Sequence, residues 1–111
     1  MSDAYQQLTE ALVKGEVIEG ICFGEWGWSG YREPKPSIIP RDKQGIVLSK
    51  EEAKPLMKGW SLYSDFGAPM AYAMYVWTNK QVVWITQYDG STALSSMPRN
   101  PTDCEVKMPG G

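Results

Sequence analysis

Two runs of β-favouring residues, 71–78 and 81–88, are separated only by Asn79-Lys80, and this spacing constrains the chain more than any other feature. A two-residue connection whose first residue tolerates positive φ makes a hairpin. Asp89-Gly90 is a stronger hairpin dipeptide and leads into a third run, 91–97. The sequence therefore predicts a three-stranded antiparallel meander over about 71–97.

Counting outward from each turn assigns every residue to a face. Trp77 opposes Val82, Val76 opposes Val83, Tyr75 opposes Trp84 and Met74 opposes Ile85. Across the second turn Ile85 opposes Leu94 and Trp84 opposes Ser95. One face is then aliphatic, with Met74, Val76, Val83, Ile85 and Leu94, and the other carries Tyr75, Trp77, Val82, Trp84 and Met97. An antiparallel sheet normally wets one face and alternates accordingly. Neither face here is polar. The aromatic face therefore calls for a cover: the Trp-rich loop at 24–32, the segment 60–69, or another molecule.

The remaining elements are shorter. Residues 17–23 read as a strand that is apolar on both sides except at Glu19, which places it inside the sheet. Asp3 and Gln6 form a capping box ahead of an apolar stripe of Tyr5, Leu8, Ala11 and Leu12, and Gly15 is placed to end that N-terminal helix. Ser49 and Glu52 form a second capping box. Pro55 would break its helix, so two successive helical turns are expected near 50–58, ending at Gly59. Prolines 34, 36 and 40 favour extended chain laid on the surface. The expected fold class is α+β, with a small antiparallel sheet built on the 71–97 meander plus strand 17–23 and an N-terminal helix packed on the aliphatic face. The expected domain organisation is one domain over 1–111 with a loose tail at about 105–111.

The segment Gly24-Glu25-Trp26-Gly27-Trp28-Ser29-Gly30-Tyr31-Arg32 sets three large aromatics among glycines, which disfavour a regular element. Aromatics on irregular backbone either pin a loop to the body or form a recognition surface. Trp26 lies nearest the strand and suits the structural role, whereas Trp28 and Tyr31 suit the surface role. Pro98-Arg99-Asn100-Pro101 presents Arg99 and Asn100 on a stiff loop, and a guanidinium there suits a carboxylate or phosphate. The plainer reading pairs Arg99 with Glu25, Asp65 or Asp89. Arg32 and Arg41 are open to the same two readings.

Catalytic chemistry has little to work with. The chain contains 0 histidines, which removes the commonest acid–base residue and the Ser/His and Cys/His nucleophile pairs. The glycines of the Trp-rich loop lack the lysine and following helix of a phosphate loop. Glu25 with Glu33 or Asp65 could form a carboxylate pair beside tryptophan, but nothing in their spacing selects it. Cys22 and Cys104, without histidine, make no structural zinc site, and neither cofactor nor metal is expected. With 11 basic and 13 acidic residues mixed along the chain there is no basic stripe, so duplex nucleic acid is a poor partner. No apolar run is long enough to span a bilayer, and no signal-peptide core is seen, so a cytoplasmic location without a membrane partner is expected.

The skew toward Trp and Tyr over Phe (5 and 6 against 2) points to a contact surface. The expected function is non-enzymatic binding, with candidate contact residues Trp26, Trp28, Tyr31, Arg32, Tyr75, Trp77, Trp84, Arg99 and Asn100. The expected partner is a protein, a second copy included, as for the small inhibitors made by viruses or mobile elements. A nucleotide-like anion is the alternative ligand, and a carbohydrate-active role comes third.

Overall fold

The computed structural model describes residues 2–62, 64, 65, 68–88, 91–106 and 108. Helix α1 spans Ala4–Ala11 and opens on the expected capping box: the Gln6 amide donates to Asp3 Oδ1 at 2.9 Å and the Asp3 amide donates to Gln6 Oε1 at 2.9 Å. Ala4 and Leu8 are buried, with Tyr5 and Leu12 packed at the margin, while Ala11 is exposed. The helix stops before Gly15. The Val13 amide donates to the Glu16 carboxylate at 3.1 Å instead of continuing the helical ladder, and Gly15, at φ +85°, serves the turn into the sheet.

Strand β1 spans Ile18–Trp26 and so runs three residues beyond the expected end. The glycines do not break it. Gly24 lets β1 lie close against the neighbouring strand, where an added Cβ would sit 3.2 Å from the Ala73 Cβ. A register shift between Phe23 and Trp26 then turns Trp26 into the core. The proline segment is laid across the surface except at Ile39, which is fully buried and anchors it. A 3-10 turn at Arg41–Lys43 and the two-residue strand β2 (Val47–Leu48) follow. Helix α2 (Lys50–Ala53) begins on the Ser49/Glu52 capping box and passes into a 3-10 turn, Lys54–Met57, which accommodates Pro55 at its start. Within the segment expected to be a loop, β3 (Ser64–Asp65) and β4 (Ala68–Pro69) form a two-stranded ribbon.

The meander is present as β5 (Tyr72–Thr78), β6 (Gln81–Tyr88) and β7 (Ser91–Pro98). Its registers follow those expected from the turns: Tyr75 with Trp84, Val76 with Val83, Trp77 with Val82, Trp84 with Ser95 and Ile85 with Leu94. The β5–β6 pairing stops at Tyr75 and Trp84, however, so the expected pair of Met74 with Ile85 is not among the partners. The Asp89-Gly90 turn lies outside the described residues, as do 107 and 109–111 of the expected tail. The main sheet is five-stranded and antiparallel in the order β2-β1-β5-β6-β7. The fold is a small α+β arrangement with one face of this sheet under the helices. That face carries Ile21, Phe23, Met74, Val76 and Val83, all buried, with Ile85 and Leu94 at the margin. Among the described residues no helix is long and apolar enough to cross a membrane.

An aromatic cluster fills the end of this core. Tyr72, fully buried, meets Trp26 edge-on at 4.9 Å between centroids and Trp60 at 5.4 Å, and Trp60 meets Phe23 at 6.2 Å. Such edge-to-face contacts add about 0.5–1.5 kcal/mol each beyond area burial. The Tyr72 hydroxyl accepts from the Ile38 and Ile39 amides at 3.0 and 3.3 Å and donates to Glu33 Oε2 at 2.8 Å. Burial is the largest influence on this phenol; with the Glu33 charge it outweighs the two amides and raises the pKa above 10.0, which keeps the proton available to Glu33.

At the other end of β5, Thr78 is fully buried and polar. Its hydroxyl accepts from the Lys80 and Gln81 amides at 3.1 and 3.0 Å and donates to the Glu16 carboxylate, which also receives Gln81 Nε2 at 2.8 Å. Asn79 closes the same corner, its side chain accepting from the Val17 amide at 2.8 Å and its amide donating to the Val17 carbonyl at 3.0 Å. Partial burial opposes the Glu16 charge, but the bonds from Thr78, Gln81 and the Val13 amide, with Lys80 nearby, hold its carboxyl below the ordinary 4.5.

Three outcomes follow from these two anchors. Thr78→Val removes one donor from the Glu16 carboxylate and leaves two turn amides without their acceptor, and is expected to cost about 1–3 kcal/mol in chemical denaturation. Tyr72→Phe, which leaves the Ile38 and Ile39 amides without an acceptor, is expected to cost a similar amount, about 1–3 kcal/mol, while secondary structure by circular dichroism is kept. Because Glu16 titrates lower in the folded chain, its contribution is present above the unfolded carboxylate pKa and fades as pH falls through the folded one. The difference in melting temperature between the parent and Glu16→Gln is therefore expected to close on acidification; a difference that is constant from pH 7 to pH 3 would contradict this account.

Candidate binding surface

Alternation along β5 sends Tyr72, Met74, Val76 and Thr78 into the core and Ala73, Tyr75 and Trp77 to the opposite face. The registers extend that second face across the whole sheet. Val47 stands on β2, Gly20, Cys22 and Gly24 on β1, Val82, Trp84 and Thr86 on β6, and Ala93, Ser95 and Met97 on β7. None of these positions carries a charged side chain; Glu19, at the register shift beside Trp77, and Arg99, just after β7, pair with each other at one end of the face. Val47, Tyr75 and Met97 are 67%, 59% and 55% exposed, and Cys22, Trp77, Val82 and Trp84 are half-buried. Tyr75 and Trp77 meet edge-on at 6.3 Å.

Of the covers expected for this face, one tryptophan of each loop segment goes elsewhere. Trp26 and Trp60 pack around Tyr72 on the helix side of the sheet. Trp26 is therefore a core residue and not part of an exposed contact surface, because β1 continues far enough to carry it inward. Among the described residues its indole N–H is buried without an acceptor, at a cost of about 1–3 kcal/mol.

The turn after β1 is tightly wound. Gly27, Ser29, Gly30 and Arg32 all take positive φ, and Gly30, Tyr31 and Glu33 donate their amides to Trp26, Trp28 and Gly30 carbonyls. Gly27 is held by its amide bond to the Ala71 carbonyl at 2.7 Å, and a Cβ there would lie 2.6 Å from the Pro69 carbonyl oxygen. Any side chain at 27 would push the β3–β4 ribbon away. This winding throws Trp28 and Tyr31 outward, 60% and 59% exposed. The Arg32 guanidinium lies over the Tyr31 ring at 5.3 Å. Trp28 borders a cavity of about 180 Å³ shared with Ala73 and Thr86, so the loop and the open face join at that end of the sheet.

Arg99 and Asn100 do not join them. Strand β7 ends beside the start of β6, with Gln81 opposite Pro98, whereas the Trp-rich turn lies beside Tyr72 at the start of β5. The two loops are thus at opposite ends of the sheet. Arg99 pairs with Glu19 and donates to the Thr78 carbonyl at 2.9 Å, while Asn100 is exposed. Its partner is Glu19; Glu25 pairs with Arg41 at 3.8 Å, both exposed, and the side chains of Asp65 and Asp89 lie outside the described residues.

Two further concavities flank the surface. Glu25 and Glu33 share a polar cavity of about 150 Å³ with Ser37, Arg41 and Gln44. On the open face itself, β1 presents Gly20, Cys22 and Gly24 in succession. The Val47 side chain lies over Gly20, where a Cβ would sit 2.8 Å from it, whereas Cys22 and Gly24 leave an open strip beside the Tyr75 ring. A trough of about 270 Å³ runs there between Cys22, Gly24, Gly45, Ala73 and Tyr75. These small residues were not among the sequence candidates. Their alternation at 20, 22 and 24 was visible, but only the pairing of Cys22 with Tyr75 shows that they share the aromatic face. Comparison of the chain with protein-family models, with curated proteins and with solved structures gave no match in any of the three.

Proposed function

We propose that the protein is a non-enzymatic binding module whose contact surface is the open face of the sheet, with Tyr75, Trp77 and Trp84 at its centre and Trp28 at its edge. One observation carries this reading: a five-stranded face whose charges are confined to the Glu19–Arg99 pair at one end, bearing large aromatic and aliphatic side chains that the fold leaves accessible. Monomeric proteins rarely present a contiguous apolar patch of this kind unless it meets another surface. Rigid aromatics carry much of the energy at protein interfaces, which favours a protein partner. The wound turn at 27–32 presents Trp28 already ordered, which lowers the entropy lost on association. The unpaired thiols of Cys22 and Cys104 suit a reducing compartment such as the cytoplasm.

A nucleotide-like anion finds less support. Arg99, the expected phosphate contact, is paired with Glu19 and lies far along the sheet from Trp28. The acidic cavity by Glu25 and Glu33 would also repel an anion.

A photo-cross-linking phenylalanine analogue placed at position 75 is expected to give covalent protein adducts in cell extract. The same analogue at position 5, on the helix side, should give few. Equal yields at both positions, or none at 75, would remove the open face as the contact surface.

A further inference from the structure

We infer that the occupant of this face is a second copy of the chain, packed sheet on sheet about a twofold axis. This rests on the reading of the open face as a contact surface and names its partner. Partner choice between unlike proteins is commonly set by complementary charge, and among the described residues the charges bordering this face, Glu19 and Arg99, are taken up by each other. It has instead a ridge and a trough side by side. The ridge is Tyr75 and Trp77 on β5, backed by Trp84 on β6; the trough is the strip at Cys22 and Gly24 on the adjacent β1, closed off at Gly20 by the Val47 side chain.

A twofold axis lying in the interface, along the strands and between β1 and β5, exchanges those two features. The Tyr75 ring of one copy then enters the trough of the other, and the reverse contact forms at the same time. The trough, about 270 Å³, has room for a phenol ring. The same operation sets Trp84 on β6 against the exposed Val47 on β2. Isologous contacts of this kind are the commonest route to a closed dimer.

Size sets the strength expected of this arrangement. β1 overlaps β5 over about seven residues, and β6 meets only the two-residue β2; at about 4.8 Å between strands and about 3.3 Å per residue the projected footprint is roughly 300 Å². Even with side-chain relief this stays below the roughly 800 Å² per partner of an ordinary stable interface, so the dimer is a weak, reversible one. Aligned packing of two twisted sheets needs no special geometry beyond their natural twist.

Light scattering coupled to size exclusion on the whole chain tests this directly. The expected mass is twice the 12.4 kDa of the chain. Tyr75→Ala removes the ridge and Cys22→Phe fills the trough; each is expected to weaken self-association by at least about tenfold, with the circular dichroism spectrum unchanged. Mixed in equal amounts, the two variants should recover a dimer, because the intact ridge of Cys22→Phe meets the open trough of Tyr75→Ala. A monomer at several hundred micromolar, a dimer indifferent to both substitutions, or a mixture that fails to recover would each overturn the proposal. Adducts at position 75 with other proteins, from a chain that is itself monomeric, would overturn the second copy while keeping the open face as a contact surface. A monomer with no adducts would remove both.

Discussion

Tyr72 is the residue on which the rest of the arrangement hangs. Its backbone begins the central strand β5, its ring is edge-on to Trp26 and Trp60, and its hydroxyl gathers the Ile38 and Ile39 amides and Glu33. Four stretches that are distant in sequence therefore meet on one side chain: the end of β1, the proline segment, the turn after α2, and the meander. A phenol is well suited to this. It buries a large apolar ring and still offers one donor and acceptor sites to backbone that has no sheet partner.

That arrangement also divides the aromatic residues. Trp26 and Trp60 join Tyr72 and Phe23 on the helix side, and the short helices cover that face only. With two-residue period, every residue that enters the core places its neighbour on the far side of the sheet. The apolar content of β5 and β6 exceeds what one face can hold, so Tyr75, Trp77, Val82 and Trp84 are left outside. Acid–base chemistry has correspondingly little footing there, and the accessible chemistry is that of contact.

Local signals in the sequence were sufficient for most of this architecture. Both capping boxes, the Asn79-Lys80 hairpin and the registers of β5, β6 and β7 are set by residues a few positions apart, and each is found as expected. What was not legible depends on distant partners. The end of α1 is decided by Glu16, which takes the Val13 amide and is itself held by Thr78 and Gln81, 62 and 65 residues away, and the length of β1 by the closeness of Gly24 to Ala73. Trp26 could be assigned to the core only once Tyr72 was placed beside it, and Arg99 is occupied by Glu19, 80 residues away. The trough was hidden for the same reason, since glycines on β1 mean little until the strand beside them is known.

The neutrality of the open face has a kinetic corollary. Without a field to guide encounters, association through it would proceed at an unsteered rate, about 10⁵–10⁶ M⁻¹s⁻¹, and ionic strength would scarcely alter it. Lifetime would then be set by how well the rings seat, since aromatic packing governs departure and not arrival. With a second copy as the proposed occupant, occupancy of such a surface would follow the abundance of the chain itself, and the amount synthesised would be the natural control over its state.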